Sequence, residues 1–251
     1  MSDLLARVEE NIAAEKLFAV ATIVNASQPE TIGAKLLIYP DGQTEGALPA
    51  LSAQDAIIAN AQRLMQLETS ETRLFDGAEI FIQVFAPPAV LIIVGGVHTA
   101  IPLARIAKLL GYRVIVIDGR GRFATRERFP EVDQIIVEWP DEAMPKLTIN
   151  SSTYVVVLTH DPKFDLPTLA ALSKMRPRYI CAMGSRETRR QHMEQLRAQG
   201  VPDEFLKTVY GPVGLDLGAR SPEEMAVSIM AEIIAVRYNR RGGHLKQMTD
   251  E

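Results

Sequence analysis

Apolar residues fall along the chain in two kinds of run, and the two kinds alternate. Short unbroken aliphatic runs stand at LFAVATIV (17–24), AVLIIV (89–94), YRVIVI (112–117), YVVVL (154–158) and RYICA (178–182). Runs of that length, rich in β-branched residues and bounded by polar or glycine positions, predict strands buried on both faces. Between them apolar residues recur three and four apart, as at Leu103, Ile106, Ala107 and Leu110, which predicts helices. The stretch 89–118 reads strand, Gly95-Gly96 turn, helix and strand. Thr99 is placed to cap the helix, Pro102 falls in its first turn, and Gly111 stops it.

Before position 87 the pattern is different. A short amphipathic helix is predicted at 4–14, a buried strand at 17–24, and two hairpins around Asp41-Gly42 and Asp76-Gly77, the dipeptides that suit tight turns. A helix at 53–67 lies between the hairpins, with Ser52 as its N-cap. Pro87-Pro88 reads as a stiff link. The expected fold class is therefore α/β, a Rossmann-like parallel-sheet domain at 89–251 preceded by a small α+β domain at 1–86.

Composition narrows the class. The 251 residues are 47% hydrophobic, enough for a sizeable core, and the net charge of −4 argues against a general nucleic-acid binder. The single cysteine, Cys181, has no internal partner, and the acidic N-terminus lacks a signal-peptide core, so a cytoplasmic protein is expected. The uncharged stretch 80–104 would pass for a membrane span, but two prolines and two glycines interrupt it, which favours two strands and no membrane association.

In a parallel doubly wound sheet the carboxyl ends of all strands open on one edge. That rule gathers His98, His160, Asp161, Ser185 and Arg186, although they are far apart in sequence. Ser185 and Arg186 open a helix that also carries Thr188 and Arg189, an arrangement suited to a phosphate-sized anion. Arg120, Arg122, Arg126 and Arg128 form a second basic cluster just past Asp118. A glycine-rich loop, YGPVGLDLGARSPEE (210–224), carries Asp216 and leads through a Ser221/Glu224 capping box into a helix with Ala226, Ile229, Met230, Ile233 and Ile234 on one face. The tail from Asn239 reads as frayed. The Gly95–Ala100 segment places Val97 where a dinucleotide fingerprint has its second glycine, and a side chain there should crowd a pyrophosphate. Asp118 favours an NAD(P)-dependent oxidoreductase; Val97 opposes it.

Three stretches, LTHDPKFDLP (158–167), MGSRET (183–188) and PVGLDLGARSPEEMAVSIMAEIIA (212–235), together with the Gly95-to-His98 turn, ATIV (21–24) and GAKLLIYPDG (33–42), resemble the XdhC/CoxI family of accessory proteins for xanthine and carbon monoxide dehydrogenases. The resemblance implies a molybdenum-cofactor chaperone rather than an enzyme with turnover of its own. Such a protein binds the molybdopterin cofactor, assists its sulfuration by a cysteine desulfurase, and delivers it to a molybdenum hydroxylase such as xanthine dehydrogenase. A homodimer is a further expectation. For such a ligand the expected contacts at the sheet edge are Gly95, Gly96, His98, Asp118, His160, Asp161, Gly184, Ser185, Arg186 and Asp216. The family's GGGCVE-like motif corresponds to PALSAQ (49–54), which puts Ser52 at the cysteine's place. A serine supplies no thiolate, so a regulatory or scaffolding member without sulfuration activity is the remaining alternative.

Overall fold

The structure is a computed structural model that describes residues 2–247. The chain divides into two compact units, Met1–Pro87 and Pro88–Glu251.

In the first unit, α1 (Ser2–Ala13) is followed by β1 (Phe18–Asn25), β2 (Lys35–Ile38), β3 (Thr44–Gly46), α2 (Gln54–Leu67), β4 (Glu71–Phe75) and β5 (Ala78–Phe85). The strands form one sheet in the order β3-β2-β1-β5-β4, with antiparallel neighbours. The central strand β1 is apolar on both sides because both are covered. Ala19, Ala21 and Ile23 pack with Ile57, Ala61 and Leu64 of α2, while Phe18 and Val20 pack with Leu37 and with Leu4 and Val8 of α1. Asp76 and Gly77 both have positive φ, as a two-residue hairpin requires; around Asp41-Gly42 only Gly42 does.

Residues Ser52 and Thr99 do not cap their helices through their side chains. The N-cap of α2 is Ala53, and the Ser52 hydroxyl and the Ser52 and Ala53 amides all donate to Asp76 Oδ2, at 2.8, 2.9 and 2.8 Å. A carboxylate from the hairpin is a stronger acceptor than a hydroxyl, so it takes the free amides of the helix start.

The second unit runs β6 (Val90–Val94), α3 (Ala100–Leu109), β7 (Arg113–Ile117), β8 (Gln134–Ile136), α4 (Pro140–Ala143), β9 (Thr153–Val157), α5 (Pro162–Leu172), β10 (Tyr179–Ala182), α6 (Arg186–Ala198), α7 (Asp203–Thr208), β11 (Val209–Tyr210) and α8 (Pro222–Arg237). Its six strands are parallel, in the order β11-β10-β9-β6-β7-β8. The chain starts in the middle, winds out to β8, and returns to lay β9 on the other side of β6, which is the Rossmann topology. Successive residues of β6 serve opposite layers: Leu91 and Ile93 join the core under α3 and α8, and Ile92 and Val94 the core under α5 and α6. The Thr99 backbone is helical and its side chain caps nothing, so α3 begins on backbone carbonyls.

Helix α8 has the expected capping box at Ser221 and Glu224 and buries Ala226, Ile229, Met230 and Ile233. Ile234 is exposed, and Ser228 is buried in its stead, donating to the Leu215 carbonyl. The tail is not free through its described part. The Arg240 amide donates to Ala235, and a β-carbon on Gly242 would lie 2.8 Å from Leu215 Cδ1; residues 248–251 fall outside the described range. Among the described residues no helix is long and apolar enough to cross a membrane.

Candidate functional site

The switch in strand order falls between β6 and β9, and the loops that follow these strands meet there. Gly95, at φ +101°, gives its amide to the Ile117 carbonyl at 2.8 Å, and a β-carbon on it would lie 2.6 Å from Thr159 Cγ2. Gly96 gives its amide to Asp118 Oδ2 at 2.9 Å, and a β-carbon on it would lie 2.3 Å from the Phe123 carbonyl oxygen. Both glycines are thus required by close approach, but the approaching atoms belong to this chain. Their amides are already used, so the Gly95-Gly96 turn offers no N–H to an anion. Val97 packs against the core under α3 and α8, and the obstruction to a pyrophosphate at this turn comes from Phe123 instead.

Asp118 is fully buried. Its Oδ1 accepts from the Arg120 amide and Nε, and its Oδ2 from Gly96 and Arg120 Nη2, all at 2.9 Å. Burial alone would raise this carboxyl, but the Arg120 guanidinium and the two amides outweigh it and hold the group below its ordinary value. With both oxygens engaged, Asp118 is a brace for the loop and not a receptor for a ribose hydroxyl. Arg120 lies over the rings of Phe123 and Phe164, at 4.3 and 4.8 Å, and Phe164 stacks on Trp139 at 4.4 Å. Arg126 donates to the Val132 carbonyl and Arg128 to that of Phe123, and Arg122 covers the Phe123 ring. The second basic cluster is therefore largely spent on holding its own loop.

After β9, His160 is exposed and adopts φ +57°, and Asp161 caps α5 by accepting the Lys163 amide at 2.9 Å. The Thr159 hydroxyl turns inward and donates to Asp165 Oδ1. Asp165 belongs to the first turn of α5 and is fully buried; its Oδ2 has no hydrogen-bond partner and lies 3.9 Å from Nδ1 of the buried His192 on α6. Burial pushes Asp165 up to about 6, and burial pushes His192 below its ordinary value. Neither residue was expected from the sequence. The usable signal was an acid and a histidine at buried-face positions, Asp165 between Phe164 and Leu166 and His192 beside Met193.

At the end of β10, Gly184 takes φ +151° and Ser185 caps α6, accepting the Thr188 amide at 3.0 Å. Arg186 is exposed and, among the described residues, has no hydrogen bond or ion pair, so its guanidinium stands free beside the positive end of a 13-residue helix. Arg189, expected to act with it, instead donates to the Val209 carbonyl at 2.7 Å and ties α6 to β11. Asp216 and His98 are exposed. The Asp216 loop is fixed behind by Gly214 donating to Glu232 and by Leu215 bonding Ser228 of α8. The edge therefore presents His98, His160, Ser185, Arg186 and Asp216 outward, keeps Asp161 at a helix cap, and withdraws Gly95, Gly96 and Asp118. Among the described residues there is no group of three His, Cys, Asp or Glu side chains able to hold a metal ion.

This geometry sits in a chain with clear relatives. Residues 91–233 match the model of the XdhC Rossmann domain and residues 12–76 that of the XdhC and CoxI family. A probable xanthine dehydrogenase subunit from Bacillus subtilis is 35% identical over 63% of this chain and 46% of its own length. The uncharacterized protein YqeB of Escherichia coli is 28% identical over 90% of this chain and 44% of its own. The molybdenum cofactor insertion chaperone PaoD of Escherichia coli is 33% identical over 37% of this chain and 29% of its own. The chain thus spans less than half the length of these curated relatives. The crystal structure of a xanthine dehydrogenase from Bacillus halodurans has the same fold, with a TM-score of 0.56 over 94% of this chain and 96% of that one, at 22% identity. With both of its units matched by the family's own models, the chain belongs to the XdhC and CoxI family.

Proposed function

We propose that the protein binds the molybdenum cofactor as cargo at the carboxyl edge of the 89–251 domain and passes it to a molybdenum hydroxylase of the xanthine dehydrogenase type. The observation that carries the reading is Arg186, unpaired among the described residues, beside the Ser185-capped start of α6. A free guanidinium next to helix amides suits the phosphate of a phosphorylated pterin. Kinship with PaoD, named a molybdenum cofactor insertion chaperone, supports the choice of that ligand over other phosphorylated heterocycles. His98, His160, Asp161, Gly184 and Asp216 would orient the rest of the ligand. The chain offers the molybdenum no thiolate: Cys181, its single cysteine, is buried, and burial pushes its thiol well up. Delivery of the cofactor thus stands apart from its sulfuration, for which Ser52 provides no sulfur chemistry and a cysteine desulfurase would have to act directly on the ligand.

A second reading, a scaffolding or regulatory member of the family, is favoured by the tie between Ser52 and Asp76, which makes residue 52 a structural position. Acid release of small molecules from the purified protein, identified by fluorescence and mass, separates the two. A phosphorylated pterin supports the cargo reading. Protein that purifies without a pterin and takes none up from a cofactor-loaded donor supports the scaffold. A nicotinamide would overturn both.

A further inference from the structure

The buried acid and histidine beneath the site form an ionisable pair that the cargo reading leaves without a task. Asp165 is joined to the ligand-facing loop through the Thr159 hydroxyl, and it faces His192, which lies two turns along the helix that Arg186 opens. Its Oδ2 is buried and unpaired. A carboxylate is not left so without cost, because a buried charge with an unsatisfied oxygen loses its hydration and gains nothing in return.

We propose that Asp165 and His192 are positioning residues that share one proton and thereby set the separation of the two arms of the site, the 159–161 loop and the first turn of α6. With the carboxylate ionised and the imidazole neutral with its proton on Nε2, Nδ1 and Oδ2 are both acceptors and the pair carries net charge −1, which suits the 3.9 Å between them. One proton from solvent makes the pair neutral overall, whether it rests on Oδ2 or on Nδ1. It then bridges the two atoms in a hydrogen bond of about 2.8 Å, charge-assisted when the proton rests on Nδ1. The contraction of about 1 Å draws α6 toward the start of α5. Thr159 carries the change to the loop, since its hydroxyl bonds the other oxygen of the same carboxylate.

Few other charges bear on the pair. His160 and Asp161 act on Asp165 from the loop, with opposite signs. From α4 and the turn after it, Asp141, Glu142 and Lys146 are exposed, Lys146 being paired with Glu138. On α6, Arg189 is held by the Val209 carbonyl. The pair is thus the group of this cluster whose charge is both buried and free to change.

Calling the two arms ligand-facing rests on the cargo reading, so the test uses no ligand. In the full chain carrying His160→Gln, which leaves the loop no imidazole of its own, and labelled with nitrogen-15 and carbon-13, pH is varied from 5 to 8. The His192 ring, the amides of Thr159 and Asp161, and those of Arg186 and Glu187 should share an inflection near pH 6. Asp165→Asn should abolish it at both arms. Thr159→Val should abolish it in the loop and leave it at His192 and Arg186, a separation that a purely structural role for Asp165 would not produce. Should the Asp165 variant fail to fold, His192→Gln tests the other half of the coupling: the loop keeps the inflection of Asp165 through Thr159, and the inflection at Arg186 and Glu187 should disappear. A His192 ring that shows no inflection in common with the two arms, or Arg186 and Glu187 amides that titrate alike with the pair intact and in either pair variant, would overturn the proposal. Such a failure leaves the cargo reading standing, and a protein that purifies without a pterin leaves the pair standing.

Discussion

The Phe123 carbonyl oxygen covers Gly96 so closely that a β-carbon there would lie 2.3 Å away. A Rossmann turn in that state is closed to a dinucleotide by its own chain, since Phe123 takes the approach a pyrophosphate needs and Arg120 takes the carboxylate a ribose needs. NADH and NADPH should therefore bind weakly or not at all. Val97→Gly should not change this, because Val97 packs inward and its loss costs only packing. Titration calorimetry on both proteins checks the point; micromolar affinity in the wild type, or a gain on Val97→Gly, would contradict it.

Arg186 has no partner to lose among the described residues, so Arg186→Ala should leave the melting temperature within experimental error. Under the cargo reading the same change should weaken binding of the phosphorylated pterin by about 1 to 3 kcal/mol, the usual worth of a charge-assisted contact. Binding and melting measured together decide whether the arginine serves the ligand or the fold. A lowered melting point with unchanged affinity would reverse the assignment.

How much of this was legible in the sequence depends on whether a residue's task is local. The strands read directly from aliphatic runs because central strands of a parallel sheet are buried on both faces, as Ile92 and Ile93 show by serving opposite cores. The Ser185 cap and the Ser221–Glu224 box were also readable, because a cap is a relation over three residues. The start of α2 was misread for the opposite reason. The group that takes its amides, Asp76, is more than twenty residues away, and no periodicity points to it. Asp118 was legible as the acid a dinucleotide site would use, yet the sequence does not say whether the partner of a glycine turn is a ligand or Phe123. Short elements such as β11 and α7 leave too few residues for any pattern.

Asp165 gives a pH dependence of stability with a definite sign. Its carboxyl stands at about 6 in the fold against 3.8 as a free side chain, so the folded state holds the proton more tightly. That contribution is fully present below about pH 4 and is lost as pH rises through about 6; the loss amounts to roughly 3 kcal/mol at most. His192 acts in the opposite sense, since its pKa is lowered: its contribution is present above 6.5 and falls as pH drops below that value. Asp165→Asn removes the first effect and keeps an acceptor for Thr159. Urea melts at pH 4.5 and 7.5 should show the variant gaining on the wild type at the higher pH; an equal difference at both values would show that Asp165 does not titrate in this range.

The Ser52–Asp76 contact predicts what restoring a cysteine would do. Ser52→Cys replaces a good donor by a weak one at an acceptor that also holds two amides of the α2 start. The melting temperature should fall by about 2 to 4 °C, and that of Asp76→Ala by more, because all three donors lose their acceptor at once. These hydrogen bonds, led by that from the Ser52 hydroxyl, hold Asp76 below the ordinary carboxylate value. Its contribution is therefore present above 3.8 and is lost as pH falls through the lowered pKa, so the Asp76→Ala deficit should shrink in strong acid. If residue 52 were instead a docking point for the cofactor, Ser52→Cys would raise molybdenum per protein after loading. Elemental analysis beside the melting curves decides: a lower melting point with unchanged metal means that residue 52 holds the hairpin to the helix, and more metal at an unchanged melting point means that it faces the cargo.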